Sequence, residues 1–157
     1  MITSNLPQKR WIIRFLLLLL LTFGTGFFLV SFLQTPDQMI WYQGLKHSSV
    51  TPPAIVFSIV WTILYLLIPI SATLVWDKGG RFYFFLQLVL QILWSYTYFV
   101  RHLLWPAFGV LALLCVVVGL MTLSYANRSK LAGLLLLPYF VWGLFAAYLN
   151  LMTAILN

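Results

Sequence analysis

The chain has 157 residues, of which 63% are hydrophobic, 18% aromatic and only 7% charged, with a formal net charge of +7. So few charged groups cannot clothe a water-soluble domain of this size, and the cations stand singly between apolar runs instead of clustering on one face as nucleic-acid binding requires. The composition is that of a membrane protein with no room for a soluble catalytic domain, and the single Cys115 excludes an intrachain disulfide or a thiolate metal cluster.

Five apolar runs follow one another at about residues 12–33, 54–76, 82–100, 103–125 and 131–156. Each approaches or exceeds the roughly 20 residues that cross a hydrocarbon layer of about 30 Å as a helix. None alternates apolar and polar positions as a barrel strand would, so each is read as a helix whose backbone groups bond within the segment. The expected fold class is an all-α membrane protein, a five-transmembrane-helix bundle forming one transmembrane domain over residues 1–157, with a long loop between helices 1 and 2.

The first run follows Lys9, Arg10 and Arg14 and continues through Phe32 without a small-residue cleavage site. It therefore reads as a retained helix and not a signal peptide. The loop at 34–53, QTPDQMIWYQGLKHSSVTPP, is too long for a mere connector and has the length of a lid or binding element. The other connections are short, so consecutive helices are expected to be antiparallel neighbours. Pro69 and Pro138 interrupt runs two and five, where a kink is expected, whereas Pro106 falls in the first turn of run four, where proline is tolerated.

Five crossings put Lys9, Arg10, Arg14, Lys78, Arg81, Arg128 and Lys130 on one side of the bilayer and only Lys46 and Arg101 on the other. That asymmetry favours a cytoplasmic amino terminus in a bacterial cell membrane. Both acids, Asp37 and Asp77, fall outside the runs, and no run carries a carboxylate, Lys or Arg at its middle. An ion-coupled pump is disfavoured, and so is an inverted-repeat transporter, because the halves do not match.

Trp11, Trp41, Trp76 and Trp105 lie near run ends, where an interfacial belt accounts for them. Trp61, Trp94 and Trp142 lie roughly 9 Å or more inside their runs, too deep for a belt. At helical spacing Phe57, Trp61 and Tyr65 share one face of run two. Gln87, Gln91, Trp94, Ser95 and Tyr98 share one of run three, and Trp142, Ala146 and Asn150 one of run five.

Amides facing lipid would be costly, so Gln87 and Gln91 should point into the bundle, either bonding neighbouring helices or lining a cavity. Their conjunction with large rings and with the small Ala146 and Ala147 favours a cavity for a flat, hydrophobic, aromatic guest held by stacking. It would open toward the long loop, where Lys46 or Arg101 offers a cation to an anionic guest. His47 and His102 lack the neighbours for a protein-built metal site or a nucleophile triad.

Four stretches resemble the tryptophan-rich sensory protein family, whose animal members are called translocator protein or peripheral-type benzodiazepine receptor. They are WYQGL with TPP (Trp41 to Leu45, Thr51 to Pro53), VFSIVWTILY (Val56 to Tyr65), LQLVLQILWSYTYFVRH (Leu86 to His102) and PYFVWGLFAAYLN (Pro138 to Asn150). The resemblance implies a five-helix bundle that binds protoporphyrin IX or a related tetrapyrrole, requires no other cofactor, sits in membrane lipid and forms a homodimer. It further implies a ligand-binding set of Trp41, Pro53, Phe57, Trp61, Tyr65, Gln91, Trp94, Ser95, Tyr139, Trp142, Ala146 and Asn150. Light-dependent breakdown of protoporphyrin would use Trp61 and Trp142 as catalytic residues.

The chain departs from the family pattern where His47, Ser48 and Val50 stand in place of Lys, Pro and Trp before the paired prolines, and where Gln91 stands for an Asn. No basic residue follows the terminal stretch as the sterol-contact pattern asks. The function expected is thus a tetrapyrrole-binding membrane sensor, with a passive carrier of porphyrins or other lipophilic metabolites as the alternative.

Overall fold

The computed structural model describes residues 6–33 and 35–157. Residues 1–5 of the expected domain and residue 34, the first of the expected loop, lie outside the described residues. The elements are α1 (Leu6–Leu33), α2 (Pro36–Gly44), α3 (Ala54–Val75), a 3-10 turn (Trp76–Lys78), α4 (Arg81–Ser95) continued by a π turn (Tyr96–Val100), α5 (Leu104–Ala126) and α6 (Lys130–Leu156). Five of the helices are long and apolar enough to cross a membrane, as the apolar runs imply. Leu20 and Phe27 of α1, 70% and 76% exposed, belong to a surface that only lipid can solvate.

The five long helices form a ring in the order α1, α3, α6, α5, α4 and back to α1. One sequence expectation fails here. α3 and α4 are consecutive and joined by a short turn, yet their backbones do not pack against each other. Instead, long side chains reach from one to the other. Gln91 Nε2 donates to Tyr65 Oη at 2.8 Å, and Trp76 packs edge-on to Phe84 with centroids 5.9 Å apart. Short loops fix which end a helix starts from; the sizes of the facing side chains decide which neighbour it touches.

Without a hydrophobic force between helices in lipid, close contact depends on small residues and polar bonds. The α5–α6 pair shows the first. A Cβ on Gly133 would lie 2.5 Å from Ala126 Cβ, one on Gly119 would lie 3.1 Å from the Phe140 ring, and one on Gly143 would lie 3.4 Å from Cys115 Sγ. The second appears where Ser71 Oγ of α3 donates to the Ala132 carbonyl of α6 at 2.7 Å. Other hydroxyls turn back on their own helix, as Thr73 does to Pro69 O at 2.7 Å and Thr122 to Val118 O at 2.8 Å. Such back-bonding leaves no hydroxyl stranded in an apolar surround. α3 and α6 run on through Pro69 and Pro138, and Pro106 sits in the first turn of α5.

At one end of the bundle the basic residues gather. Arg14 Nη1 of α1 meets Asp77 Oδ2 at 2.7 Å, Arg81 stands 3.7 Å from the other Asp77 oxygen, and the Arg81 guanidinium lies 5.4 Å above the Trp76 ring. Lys78 and Arg128 exchange hydrogen bonds with each other's carbonyls at 3.3 and 2.5 Å, joining the α3–α4 turn to the α5–α6 turn. The opposite end carries α2.

α2 is a short helix within the long loop expected at 34–53. Thr35 caps it through Oγ1, Pro36 opens its first turn and Asp37 supplies the carboxylate that a helix start favours. Its nine residues include none that is buried, so its hold on the bundle comes from a few side chains.

Candidate ligand-binding site

The sequence-derived site residues fall into three groups. In the first, Trp61 of α3 lies 5.5 Å from Tyr65 and 6.3 Å from Tyr139 of α6, centroid to centroid. Tyr65 accepts from Gln91, while the buried Tyr139 hydroxyl donates to Gln87 Oε1 at 2.9 Å. Gln87 is 0% and Gln91 2% exposed. Both amides therefore point into the bundle, and both bond a neighbouring helix. Gln87 completes its set by donating from Nε2 to Phe84 O at 3.1 Å.

The second group joins Phe57 of α3 to Trp142 of α6, with centroids 5.5 Å apart and planes at 70°, and Trp142 to Phe145 at 5.5 Å. Trp142 also walls a groove of about 520 Å³ lined by Val60, Ile63, Leu64, Pro138, Val141 and Phe145. Those residues belong to α3 and α6, so the groove opens between them. A second groove, of about 640 Å³, runs beside α1 at Leu17, Leu21, Gly24 and Phe28 and reaches Ile92 of α4. Both open on apolar flanks of the bundle, whereas the sequence reading looked for a hollow opening beneath the loop.

The third group lies toward the α2 end. Trp94 Nε1 donates to Asn150 Oδ1 at 3.1 Å, and Asn150 Nδ2 donates to the Leu104 carbonyl at 3.0 Å, tying α4, α6 and α5 together. Trp94 lies 6.1 Å from Tyr98, Tyr98 lies 5.8 Å from Trp41 of α2, and Trp41 stacks on His102 at 3.9 Å with planes at 13°. Ser95 and Ala146 are buried on the expected faces, while Pro53 precedes α3 as an exposed residue.

Two features of this end escaped the sequence reading. Asn157 closes the strap after α2, accepting from Lys46 N at 3.0 Å and donating to Lys46 O at 3.0 Å. His47 Nε2 lies 3.0 Å from the Tyr42 carbonyl, and burial pushes the Tyr42 hydroxyl above the ordinary tyrosine range. The Lys46–Asn157 pairing spans 111 residues and leaves no periodic signal. The Trp41–His102 contact is of the same kind.

Aromatic rings, buried amides and few charges inside five spans define an integral multi-pass membrane protein with a ring-lined interior. Residues 16–156 match the TspO/MBR family, and the chain belongs to it. It is 35% identical to the tryptophan-rich protein TspO of Archaeoglobus fulgidus, over 90% of this chain and 93% of that one. With the tryptophan-rich protein TspO of Bacillus cereus the identity is 31%, over 80% of this chain and 86% of its relative. With the translocator protein of Homo sapiens it is 32%, over 70% of each.

Proposed function

We propose that the chain binds a planar tetrapyrrole drawn from the membrane, with protoporphyrin IX as the representative guest. The observation that carries this reading is a pair of stranded atoms. Three buried side-chain atoms have no hydrogen-bond partner among the described residues: Gln38 Oε1 on α2 and, among the expected site residues, the pair Gln91 Oε1 and Trp142 Nε1. Leaving one such group unpaired costs roughly 1–3 kcal/mol, a cost that a bound guest removes. A free-base porphyrin carries pyrrole N–H donors and imine nitrogen and carboxylate acceptors on a flat apolar ring, so it suits one acceptor and one donor set among Trp61, Tyr65, Tyr139 and Phe57. The groove beside Trp142 offers such a compound a way in from the acyl chains.

Within the same proposal, light-dependent breakdown uses Trp61 and Trp142: the excited porphyrin takes an electron from an indole and passes it to dioxygen, the superoxide adds to the macrocycle, and the adduct returns one electron to the indole cation as the ring opens with both oxygen atoms in the product. The amino terminus faces the cytoplasm of a bacterial cell, on the strength of seven cations at one end of the bundle against two at the other. The functional unit is a homodimer, in which Gly24, where an added Cβ would meet nothing within 4 Å, permits close approach.

The test is a titration of detergent-purified protein with protoporphyrin IX, followed by quenching of tryptophan fluorescence and then by the porphyrin bands under illumination. Saturable quenching is expected, and its absence overturns the binding reading. Trp61→Phe with Trp142→Phe, examined at porphyrin concentrations that saturate the weakened site, should stop band loss although porphyrin is still bound. Proteoliposomes that pass porphyrin faster than empty vesicles would favour the carrier instead.

A further inference from the structure

We infer that His102 is the positioning residue for Trp41, and that their stack is a pH-responsive clasp holding α2 against the end of the bundle. His102 has φ 55°, the only positive φ outside glycine among the described residues. A non-glycine residue pays about 1–2 kcal/mol to stand there, so its surroundings must hold it. They do so through the π turn, where Arg101 N donates to Tyr96 O at 3.0 Å and Leu103 N reaches back to Thr97 O at 3.1 Å. The conformation gives the exposed imidazole a use, presenting its face to the Trp41 indole at 3.9 Å and 13°.

Little else holds α2. Beyond the stack, the contacts among the described residues are Tyr42 at 6.0 Å from Phe99, Trp41 at 5.8 Å from Tyr98, and the Asn157–Lys46 pair on the strap that follows, with Gln38 Oε1 buried but unbonded. An element with no buried residue and so few attachments opens at low cost. Trp41 also leads inward, through Tyr98 and Trp94 to Asn150, the last two of which belong to the expected ligand-binding set.

Histidine is the side chain whose charge commonly changes between pH 5 and 8, and an imidazolium over an indole face gains a cation–π attraction that the neutral ring lacks. The ionisable groups on the elements around the clasp are Asp37 and Tyr42 on α2, Tyr96, Tyr98 and Arg101 at the end of α4, Lys46 and His47 on the strap, and Tyr148 on α6. Of these, Asp37 lies one helical turn before Trp41 and Arg101 directly precedes His102. The sign follows: protonation binds to the clasped state, so the clasp is tight at acid pH and loosens as pH rises.

The clasp is read without any ligand by a nitroxide on Gln43→Cys, an exposed position of α2, in a Cys115→Ala background. Spectra at pH 5 and pH 8 should show the mobile population rising about two- to five-fold on going to pH 8. His102→Asn accommodates the left-handed backbone but lacks the ring, and should be mobile at both pH values; His102→Gly serves where the Asn variant does not fold. His47→Gln should keep the step. A parent protein with no step, a step of opposite sign, or a step that survives in the His102 variants overturns the inference. So does a His102 variant as immobile at both pH values as the parent at pH 5. The coupling to the site rests on the tetrapyrrole reading and is measured separately, as slower porphyrin dissociation at pH 5. A nitroxide step without porphyrin binding leaves the clasp standing and removes the proposed function.

Discussion

Trp94 and Asn150 hold each other across the bundle, the indole N–H of α4 donating to the α6 amide at 3.1 Å while that amide donates on to Leu104 O at the start of α5. Three helices thus meet in one side chain that is 3% exposed. Asn150→Leu keeps the volume but strands an indole N–H and a carbonyl, and should lower the stability by roughly 1–3 kcal/mol. In a Trp94→Phe background the same change should cost less, because one stranded donor is already gone, with a coupling of at least about 0.5 kcal/mol. Thermal unfolding of the four proteins in one detergent measures it; additive losses would dissolve the link.

Gly24 and Gly26 stand two residues apart on α1, yet their neighbourhoods differ. A Cβ on Gly26 would run into the Tyr65 ring, whereas nothing lies within 4 Å of one on Gly24. Gly26→Ala therefore has to push Tyr65 off Gln91 and should cost about 1–3 kcal/mol. Gly24→Ala should be neutral or stabilising by up to about 1 kcal/mol, since alanine is the better helix former. Equal melting temperatures for the two variants would contradict the packing of α1 on α3.

How much of this was legible in the sequence depends on the range of the signal. The five spans were, because a run of apolar residues states its own length; α3 was expected at 54–76 and is found at Ala54–Val75. The inward aim of Gln87 and Gln91 was also legible, from the cost of an amide in lipid. α2 was missed although Thr35, Pro36 and Asp37 spell a helix start, because a nine-residue segment with no apolar face among long apolar runs reads as a loop. The order of the ring was legible for three of the four consecutive pairs, α1 with α3, α4 with α5 and α5 with α6, but not for α3, whose second neighbour is α6 and not α4. It depends on which side chains bridge α3 and α4, and the Tyr65–Gln91 pair is 26 residues apart with no pattern to announce it.

The turn between α3 and α4 is anchored from within. Tyr125, 0% exposed, donates from its hydroxyl to Gly80 O at 2.5 Å, whereas the ion pair of Arg14 with Asp77 engages a carboxylate side chain that is 66% exposed. Solvent screening leaves such a pair worth about 0–1 kcal/mol. Asp77→Asn should therefore shift stability by less than about 1 kcal/mol, and less still at high salt. Tyr125→Phe should cost about 1–3 kcal/mol at any salt, because the carbonyl of Gly80 loses its partner inside the protein. Urea or thermal unfolding at low and high salt separates the two; a larger effect from Asp77 would reverse the assignment.

Trp142 is half-buried with its N–H stranded. In the empty protein the indole nitrogen is a burden, so Trp142→Phe trades lost ring contacts with Phe57 and Phe145 against relief of an unpaired donor. The two terms have opposite sign and similar size, and the net change in stability should stay within about 1 kcal/mol. In the loaded protein the same change removes a hydrogen bond that the guest would accept, and porphyrin affinity should fall about ten-fold, as roughly 1.4 kcal/mol of lost binding requires. The prediction is thus a split between two readouts on one variant: an almost unchanged melting temperature without porphyrin and a weakened fluorescence titration with it. Loss of stability without loss of affinity would return Trp142 to a packing role.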